Sequence, residues 1–264
     1  MSEERRALVT GASSGIGSAF ARALRARGEK LVLVARRRDR LERLAAELGG
    51  DGSAAVVSLD LTSAGAAERL ATEVGGRGFA VDLLVNNAGM GHTSPFERQP
   101  PAVVRGMIDL NVRVLTELTR VFLPGMVARG RGGIVNVASN AAFQPIAYMS
   151  VYAATKAYVL SFTEALATEL TGTGVRVQAL CPGITATEFL DVAGTHRGLL
   201  VTRLPTMTAE EVVAASLRGL DRGRLRVVVG LPNRILAALQ ALAPRALVRR
   251  VAAELYRPRG GRGE

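Results

Sequence analysis

Seven short apolar segments alternate with longer segments of helical periodicity along most of the chain. The segments predicted as strands are 6–10, 30–35, 54–60, 81–87, 133–139, 175–181 and 225–230. They are almost continuously apolar, which is typical of strands buried on both faces of a parallel sheet. The predicted helices are 18–27, 40–48 (with Asp39 as N-cap), 102–129, 150–170 and 209–220. This alternation predicts an α/β fold, a Rossmann-like doubly wound parallel sheet of seven strands with helices on both faces.

The C-terminal segment 231–264 follows the last predicted strand and contains two further stretches of helical apolar spacing, separated by Pro244. We expect residues 1–230 to form a single domain and 231–264 to be a basic amphipathic helical extension of that domain. Its end, 257–264, is expected to be disordered. The two helices are expected to pack on the body or on a sister subunit, and contact with an anionic membrane is the alternative.

Charge and cysteine content limit the binding partners and the cellular compartment that the sequence predicts. The net charge is +11, and 11 Arg against three acidic residues fall between residues 218 and 264. Because the preceding body is nearly neutral, this distribution indicates a basic tail rather than a nucleic-acid-binding surface. The single cysteine, Cys181, excludes an intrachain disulfide, and the sequence shows neither an apolar leader nor an apolar run of about 20 residues. We therefore expect a cytoplasmic protein that binds no nucleic acid.

A glycine-rich turn, T-G-A-S-S-G-I-G at 10–17, joins the first predicted strand to the first helix. Gly11 permits a tight turn, while Gly15 and Gly17 let the backbone approach a pyrophosphate at the helix N-terminus. The spacing differs from both the G-x-G-x-x-G fingerprint and the P-loop, and a purely structural turn is the alternative. The predicted cofactor contacts in this turn are Gly11, Ser13, Ser14, Gly15, Ile16 and Gly17.

Three arginines, Arg36, Arg37 and Arg38, follow the second predicted strand. Sites for NAD usually carry an acidic residue here to bind the ribose 2′-hydroxyl, and Asp39 comes too late in the chain. Arginine can instead pair with a 2′-phosphate and stack on adenine. We therefore predict that the protein prefers NADP(H) over NAD(H), with Arg36 at the phosphate. A solvated basic start to a helix is the alternative.

Only two of the 34 Lys and Arg residues are lysines, and one of them, Lys156, lies four residues after Tyr152. At this spacing both side chains project from one face of a helix. A phenol with a pKa near 10 needs a cationic neighbour to exchange protons near neutral pH, and an ammonium one turn away supplies it. Ser139, at the end of the fifth predicted strand, can polarise a substrate carbonyl. These three are therefore candidate catalytic residues.

Six spaced motifs together resemble the classical short-chain dehydrogenase/reductase family and cover residues 7 to about 190. They are T-G-A-S-S-G-I-G at 10–17, S-L-D ending at Asp60, N-N-A-G at 86–89, Asn111 in L-N-V, Ser139 with Y-A-A-T-K at 152–156, and C-P-G at 181–183 followed by Thr187. The resemblance implies a Ser–Tyr–Lys catalytic set, with Asn111 holding a water in a proton relay with Lys156. It also implies a mobile substrate lid at 184–208.

The same resemblance implies further cofactor contacts. Asp60 is expected at the adenine, residues 87–89 near the ribose, and residues 182–187 over the nicotinamide. The implied contacts are Asp60, Leu61, Asn87, Ala88, Gly89, Tyr152, Lys156, Pro182, Gly183, Thr185 and Thr187. We predict no metal site, because the two histidines form no ligand set with Cys181.

The sequence thus predicts an NADPH-dependent carbonyl reductase that acts on a ketone or aldehyde, or oxidises the secondary alcohol. Apolar lid residues, among them Phe189, Leu190 and Leu199, favour an acyl- or steroid-like substrate, unless they only close the domain. A homo-oligomer, either a dimer or a tetramer, is expected. Two alternatives stay open, a non-catalytic NADP(H)-binding sensor or scaffold and a lipid reductase at the membrane surface.

Overall fold

Seven parallel strands form the central sheet in a computed structural model of the chain, which describes residues 4–50, 52–194 and 206–257. The strands are β1 (Glu4–Thr10), β2 (Leu31–Ala35), β3 (Ala54–Ser58), β4 (Phe79–Asn86), β5 (Gly132–Val137), β6 (Val175–Cys181) and β7 (Arg226–Val228). Their order across the sheet is β3-β2-β1-β4-β5-β6-β7. β2 is buried along its whole length, which accounts for its uninterrupted apolar sequence. The predicted seven-stranded parallel sheet is confirmed.

Helices cover both faces of this sheet, as predicted. They are α1 (Gly15–Ala26), α2 (Arg38–Glu47), α3 (Ala66–Gly76), α4 (Pro101–Ile108), α5 (Leu115–Ala128), α6 (Ser150–Glu169), α7 (Glu188–Val192), α8 (Ala209–Asp221), α9 (Leu231–Leu242) and α10 (Arg245–Tyr256). One hydrophobic core lies between the sheet and helices α1, α2 and α8, and a second lies between the sheet and helices α3, α5 and α6. Both faces of the sheet are therefore closed, and the carboxyl edge is left for ligands.

Three helical features differ from the prediction. The predicted helix 102–129 is divided, because a π-helical segment, Asp109–Val114, joins α4 to α5 and contains Asn111. Helix α3 is missing from the prediction, although its buried residues repeat at helical spacing. Asp39 lies in the first turn of α2, whose N-cap is Arg37. Its carboxylate therefore acts on the helix dipole rather than as a cap.

The last two helices pack at the carboxyl side of the sheet. The Asn233 amide on α9 donates to the Val229 carbonyl oxygen at 2.8 Å, and the Gln240 amide donates to Gln144 Oε1 at 2.7 Å. On α10, Val248 and Ala252 are buried. Both helices are thus fixed to the body beside the strand ends.

Two predicted segments fall partly outside the described residues. The structure does not describe residues 195–205 of the predicted lid or residues 258–264 of the predicted disordered end. Within the ranges that the structure describes, every helix is too short or too polar to cross a lipid bilayer.

Candidate active site

A cleft of about 560 Å³ opens at the carboxyl edge of the sheet, where the strand order reverses between β1 and β4. Open parallel sheets bind ligands at this position. Of the residues predicted for catalysis and cofactor binding, all except Gly17 and Asn111 line the cleft. The two exceptions lie behind its wall, and each touches residues that line it.

The glycine-rich turn leaves no room for a side chain at two of its positions. A Cβ added to Gly17 would overlap the carbonyl oxygen of Gly11 and lie 2.6 Å from the amide nitrogen of Asn87. Gly11 has a φ of +64°, and its own Cβ would approach the same nitrogen to 2.8 Å. Ser14, the N-cap of α1, makes no side-chain capping bond. The first N–H groups of α1 therefore remain available to an anion in the cleft.

Thr10 and Asn87 tie the ends of β1 and β4 together. The Thr10 hydroxyl accepts from the backbone N–H groups of Asn87 and Ala88, each at 3.0 Å. The Asn87 amide donates to the Thr10 carbonyl oxygen at 2.9 Å. Thr10 has no role in the sequence prediction, although it belongs to the glycine-rich motif. Its position shows that the two strands share one rigid edge.

Asp60 and Arg36 lie at the end of the cleft beside β2 and β3. The Thr62 hydroxyl and backbone N–H donate to Asp60 Oδ1 at 2.7 and 2.9 Å. These bonds, with a smaller contribution from the Arg36 charge, hold the pKa of Asp60 below its usual value. This end of the cleft thus presents a fixed carboxylate and a guanidinium side by side.

Arg37 links the glycine-rich turn to the first turn of α7. Its guanidinium donates to the hydroxyls of Ser13 and Ser14 at 3.2 and 3.0 Å and to Glu188 at 3.1 Å. Arg40 also donates to Glu188, at 2.6 Å. The hydrogen bonds from Arg40 and Arg37 hold the pKa of Glu188 below its usual value. Local sequence patterns predict no role for Glu188, because its partners Arg37 and Arg40 lie 151 and 148 residues earlier in the chain.

Tyr152 and Lys156 project from α6 into the cleft, beside Ser139 at the end of β5. Lys156 Nζ donates to the Val137 carbonyl oxygen at 2.8 Å and lies 5.8 Å from the centroid of the Tyr152 ring. Burial raises the pKa of Tyr152 to about 12, with the Ser139 hydroxyl acting in the opposite direction. Burial also lowers the pKa of Lys156 to about 8. The expected lowering of the Tyr152 pKa is therefore wrong for this structure, since burial outweighs it and keeps the phenol neutral.

Asn111 holds the loop after β4 against α6. Its Oδ1 accepts from the Met90 N–H at 2.9 Å, and its Nδ2 donates to the Met90 carbonyl oxygen at 2.9 Å and to Thr155 Oγ1 at 3.0 Å. The π-helical turn brings this side chain between the two elements. Because Thr155 precedes Lys156, Asn111 sets the position of α6 relative to the loop after β4.

Residues 5–197 match the family model described as short chain dehydrogenase. The chain belongs to this short-chain dehydrogenase family. The match covers most of the chain and includes every residue predicted for the site. It ends inside the predicted lid, so helices α8, α9 and α10 of this short-chain dehydrogenase lie beyond it.

Relatives and solved structures agree with this assignment. The NADP-dependent 3-hydroxy acid dehydrogenase YdfG of Escherichia coli (strain K12) is 38% identical over 187 residues, 70% of this chain and 75% of that protein. A short-chain dehydrogenase from Sphingobium yanoikuyae, solved in complex with NADPH, is 37% identical with a TM-score of 0.78, covering 90% of this chain and 94% of that chain. The bulky-bulky ketone specific alcohol dehydrogenase from Comamonas testosteroni is 32% identical with a TM-score of 0.75. The match covers 92% of this chain and 94% of that chain.

In this short-chain dehydrogenase the C-terminal helices contribute to the wall of the cleft. The lining residues on α9 and α10 are Asn233, Leu236, Leu255 and Tyr256. Tyr256 packs in the same apolar cluster as Tyr152. Its hydroxyl has no hydrogen-bond partner among the residues that the structure describes. Helical spacing predicts both helices, but no local signal in the sequence shows that they reach the active site.

An apolar chamber adjoins Tyr152. The Phe189 ring, on α7, lies with its centroid 5.5 Å from that of Tyr152. Ile146 and Met149 belong to the same apolar cluster and also line the cleft. Phe189 and Leu190 line the cleft as lid residues, whereas Leu199 lies outside the described residues. The chamber can therefore receive an apolar group attached to the reacting carbon.

Proposed function

We propose that the protein reduces a ketone or an aldehyde with NADPH, or oxidises the secondary alcohol with NADP+, on an apolar, acyl- or steroid-like substrate. Family membership makes it an oxidoreductase of CH–OH and C=O groups. A relative and a solved neighbour named for NADP or NADPH support NADP(H) as the cofactor. The observation that carries the proposal is the meeting of Ser139, Tyr152 and Lys156 at one edge of the sheet.

The residues along the cleft suit the successive parts of NADP(H). The bare backbone at Gly11 and Gly17 and the free N–H groups of α1 would bind the pyrophosphate. Arg36, with Arg37 beside it, would pair with the 2′-phosphate, and the Lys156 ammonium would reach the nicotinamide ribose. When bound, NADPH supplies the hydride for the carbonyl carbon. The other predicted contacts, at residues 87–89 and 182–187, would hold and orient it.

Tyr152 donates the proton to the substrate oxygen in the proposed reduction. Burial keeps the pKa of the phenol above its usual value, so the residue carries this proton at neutral pH. Lys156 places an ammonium beside the phenol, where positive charge stabilises the phenolate left after transfer. The Ser139 hydroxyl donates to the carbonyl oxygen and stabilises the charge that develops there.

Asn111 supports this chemistry by positioning. Both N–H donors of its side-chain amide are used in bonds to Met90 and Thr155, and its Oδ1 accepts one bond from Met90. The water that Asn111 is expected to hold in a relay to Lys156 would therefore bind the second lone pair of Oδ1. Removing the amide would displace Thr155 and, with it, the neighbouring Lys156.

The apolar chamber beside Tyr152 favours a bulky apolar substrate. Its walls come from Ile146, Met149 and Phe189, and Leu236 also lines the cleft. One relative is named for 3-hydroxy acids and one neighbour for bulky ketones. Because the side chains named here as walls of the chamber are apolar, we infer that this protein accepts bulky ketones.

The test is NADPH oxidation with a panel of apolar ketones by the wild type and by Tyr152→Phe. We expect the substitution to lower kcat by about 10²- to 10⁴-fold, because it removes the proton donor. NADPH affinity, measured by nicotinamide fluorescence, should stay close to that of the wild type. Tyr158→Phe is the matched control, since Tyr158 is hydrogen-bonded to Thr116 outside the cleft and should keep full activity.

The sensor or scaffold alternative predicts a different result. In that case the wild type would bind NADPH but turn over none of the ketones, and Tyr152→Phe would change nothing. Such an outcome would contradict the enzymatic proposal and leave the cofactor site intact.

We also infer the setting of the enzyme. Residues 1–230 form one domain with 231–264 as its extension, supported by the bonds of Asn233 and Gln240 to the body. The protein is a cytoplasmic homo-oligomer that binds no nucleic acid, supported by its family and by its nearly neutral body. Sedimentation velocity measures the oligomeric state directly.

A further inference from the structure

Helix α9 carries four of its large apolar residues on the side that faces away from the protein. Those residues and their exposed fractions are Leu231 (65%), Ile235 (53%), Leu239 (58%) and Leu242 (86%). Their spacing of four, four and three places them on one face of the helix. The opposite face holds Asn233 and Gln240, which hydrogen-bond to the body. The polarity of α9 is therefore the reverse of that of an ordinary surface helix.

Helix α10 adds to this exposed apolar surface. Its residues Leu247 and Val251 are 55% and 52% exposed, whereas Val248 and Ala252 are buried against the body. We call the exposed set the outer apolar face. It consists of Leu231, Ile235, Leu239, Leu242, Leu247 and Val251. Single exposed leucines are common on proteins, but six large apolar side chains on two consecutive helices mark an interaction surface.

The same two helices are strongly basic. Between residues 231 and 257 the exposed arginines are Arg234, Arg245, Arg249, Arg250 and Arg257. The only acidic residue in this part of the sequence is Glu254, which pairs with Arg257 at 3.1 Å. Five positive charges against one negative charge give the segment a net charge of +4. An outer apolar face with this charge suits a partner that is both apolar and anionic.

We propose that the outer apolar face docks the protein on an anionic lipid bilayer. The leucines would enter the boundary between headgroups and acyl chains, and the arginines would stay at the anionic headgroups. Since no helix in the described ranges can span a bilayer, the protein would lie on the membrane surface.

A second copy of the chain is a poorer occupant of this face. A twofold contact brings the same patch of both copies together. Here it would set a net charge of +4 against another +4, with Glu254 already paired within its own helix. Like charges at an interface oppose association, whereas the anionic surface of a bilayer attracts them.

Docking on a bilayer would place the entrance of the cleft at the lipid surface. Leu236 lines the cleft and is also 42% exposed. Leu255 and Tyr256, on the helix that carries Leu247 and Val251, line the cleft from inside. An apolar ketone dissolved in the bilayer could thus pass along α9 into the apolar chamber. This route rests on the proposed function, whereas docking itself does not.

The test is flotation of the full chain with phosphatidylcholine vesicles prepared with and without phosphatidylglycerol. We expect at least about tenfold more bound protein on the anionic vesicles, and release at high salt, because headgroup attraction is screened. The double variant Leu239→Ser with Leu242→Ser should lose this binding. Phe96→Ser is the matched control, since Phe96 is 62% exposed on a different element and should leave binding unchanged.

Three outcomes would overturn the proposal. They are no binding of the wild type to anionic vesicles, equal loss in Phe96→Ser and the double variant, and an oligomer that the double variant dissociates in sedimentation experiments. The last outcome would assign the outer apolar face to a second copy. Reduction of a water-soluble ketone by the same variants separates this test from the proposed function, because it should stay at the wild-type level.

Discussion

The cofactor side of the cleft and its outer wall are built in different ways. The cofactor side consists of strand ends and turns, which hydrogen bonds such as those between Thr10 and Asn87 tie together. The outer wall comes from α9 and α10, which are fixed to the body by hydrogen bonds and buried side chains on one face and present apolar residues to solvent on the other. In the proposed function the sheet edge carries the chemistry, and α9 and α10 would select and deliver the substrate.

The largest effect is expected on the cofactor side of the cleft, from a substitution that keeps the positive charge of Lys156 but changes the shape of the charged group. We expect Lys156→Arg to lower kcat by about 10²-fold or more for every substrate, because a planar guanidinium cannot replace a compact ammonium between the phenol and the Val137 carbonyl oxygen. Steady-state kinetics measures this effect. Lys30→Arg, at the only other lysine, should be indistinguishable from the wild type.

The pH profile supplies an independent check on Lys156. Because burial lowers its pKa to about 8, reduction by the wild type should slow as the pH rises above 8 and the ammonium loses its charge. The phenol itself stays protonated, since the pKa of Tyr152 is raised to about 12. A guanidinium keeps its charge at these pH values, so the break should vanish from the residual activity of Lys156→Arg. If activity of Lys156→Arg still falls above pH 8, a group other than Lys156 causes the fall.

A smaller effect is expected at the adenosine end of the cofactor side. Arg36→Ala should lower kcat/KM for NADPH by about 10- to 100-fold, the size of a lost charge-assisted hydrogen bond, and should change kcat/KM for NADH little. Arg38→Ala is the control, because Arg38 pairs with Glu42 along α2 and does not line the cleft. Equal losses with both cofactors would remove Arg36 from the 2′-phosphate.

The smallest effect should come from the outer wall and depend on the substrate. Tyr256 lines the cleft, and its hydroxyl has no hydrogen-bond partner among the described residues. The substitution Tyr256→Phe removes this hydroxyl. We expect KM to rise about fivefold for ketones with a second oxygen, at unchanged kcat, and not for hydrocarbon ketones. Parallel assays of the two ketone types measure the difference. An equal rise for both types would mean that the phenol only packs.

The contrast between the two regions also explains what the sequence could predict. The glycine-rich turn and the pair Tyr152 and Lys156 are set by local spacing, so their positions follow directly from the chain. The π-helical segment at Asn111 could not be predicted, because the apolar pattern of 102–129 is compatible with one continuous α-helix. The orientation of α9 was equally hidden, since an apolar stripe normally faces the core and here Ile235 and Leu239 face outward.

Asn111 shows how narrow the choice of residue can be at a single position. One short side chain here combines an acceptor for the Met90 N–H with two donors, for Met90 O and Thr155 Oγ1. Aspartate has the same length but no N–H donors, and glutamine has the same groups on a stem one carbon longer. No other side chain of the genetic code offers this combination at this reach. The length of this one amide side chain thus sets the distance between the loop that carries Met90 and the helix that carries Thr155.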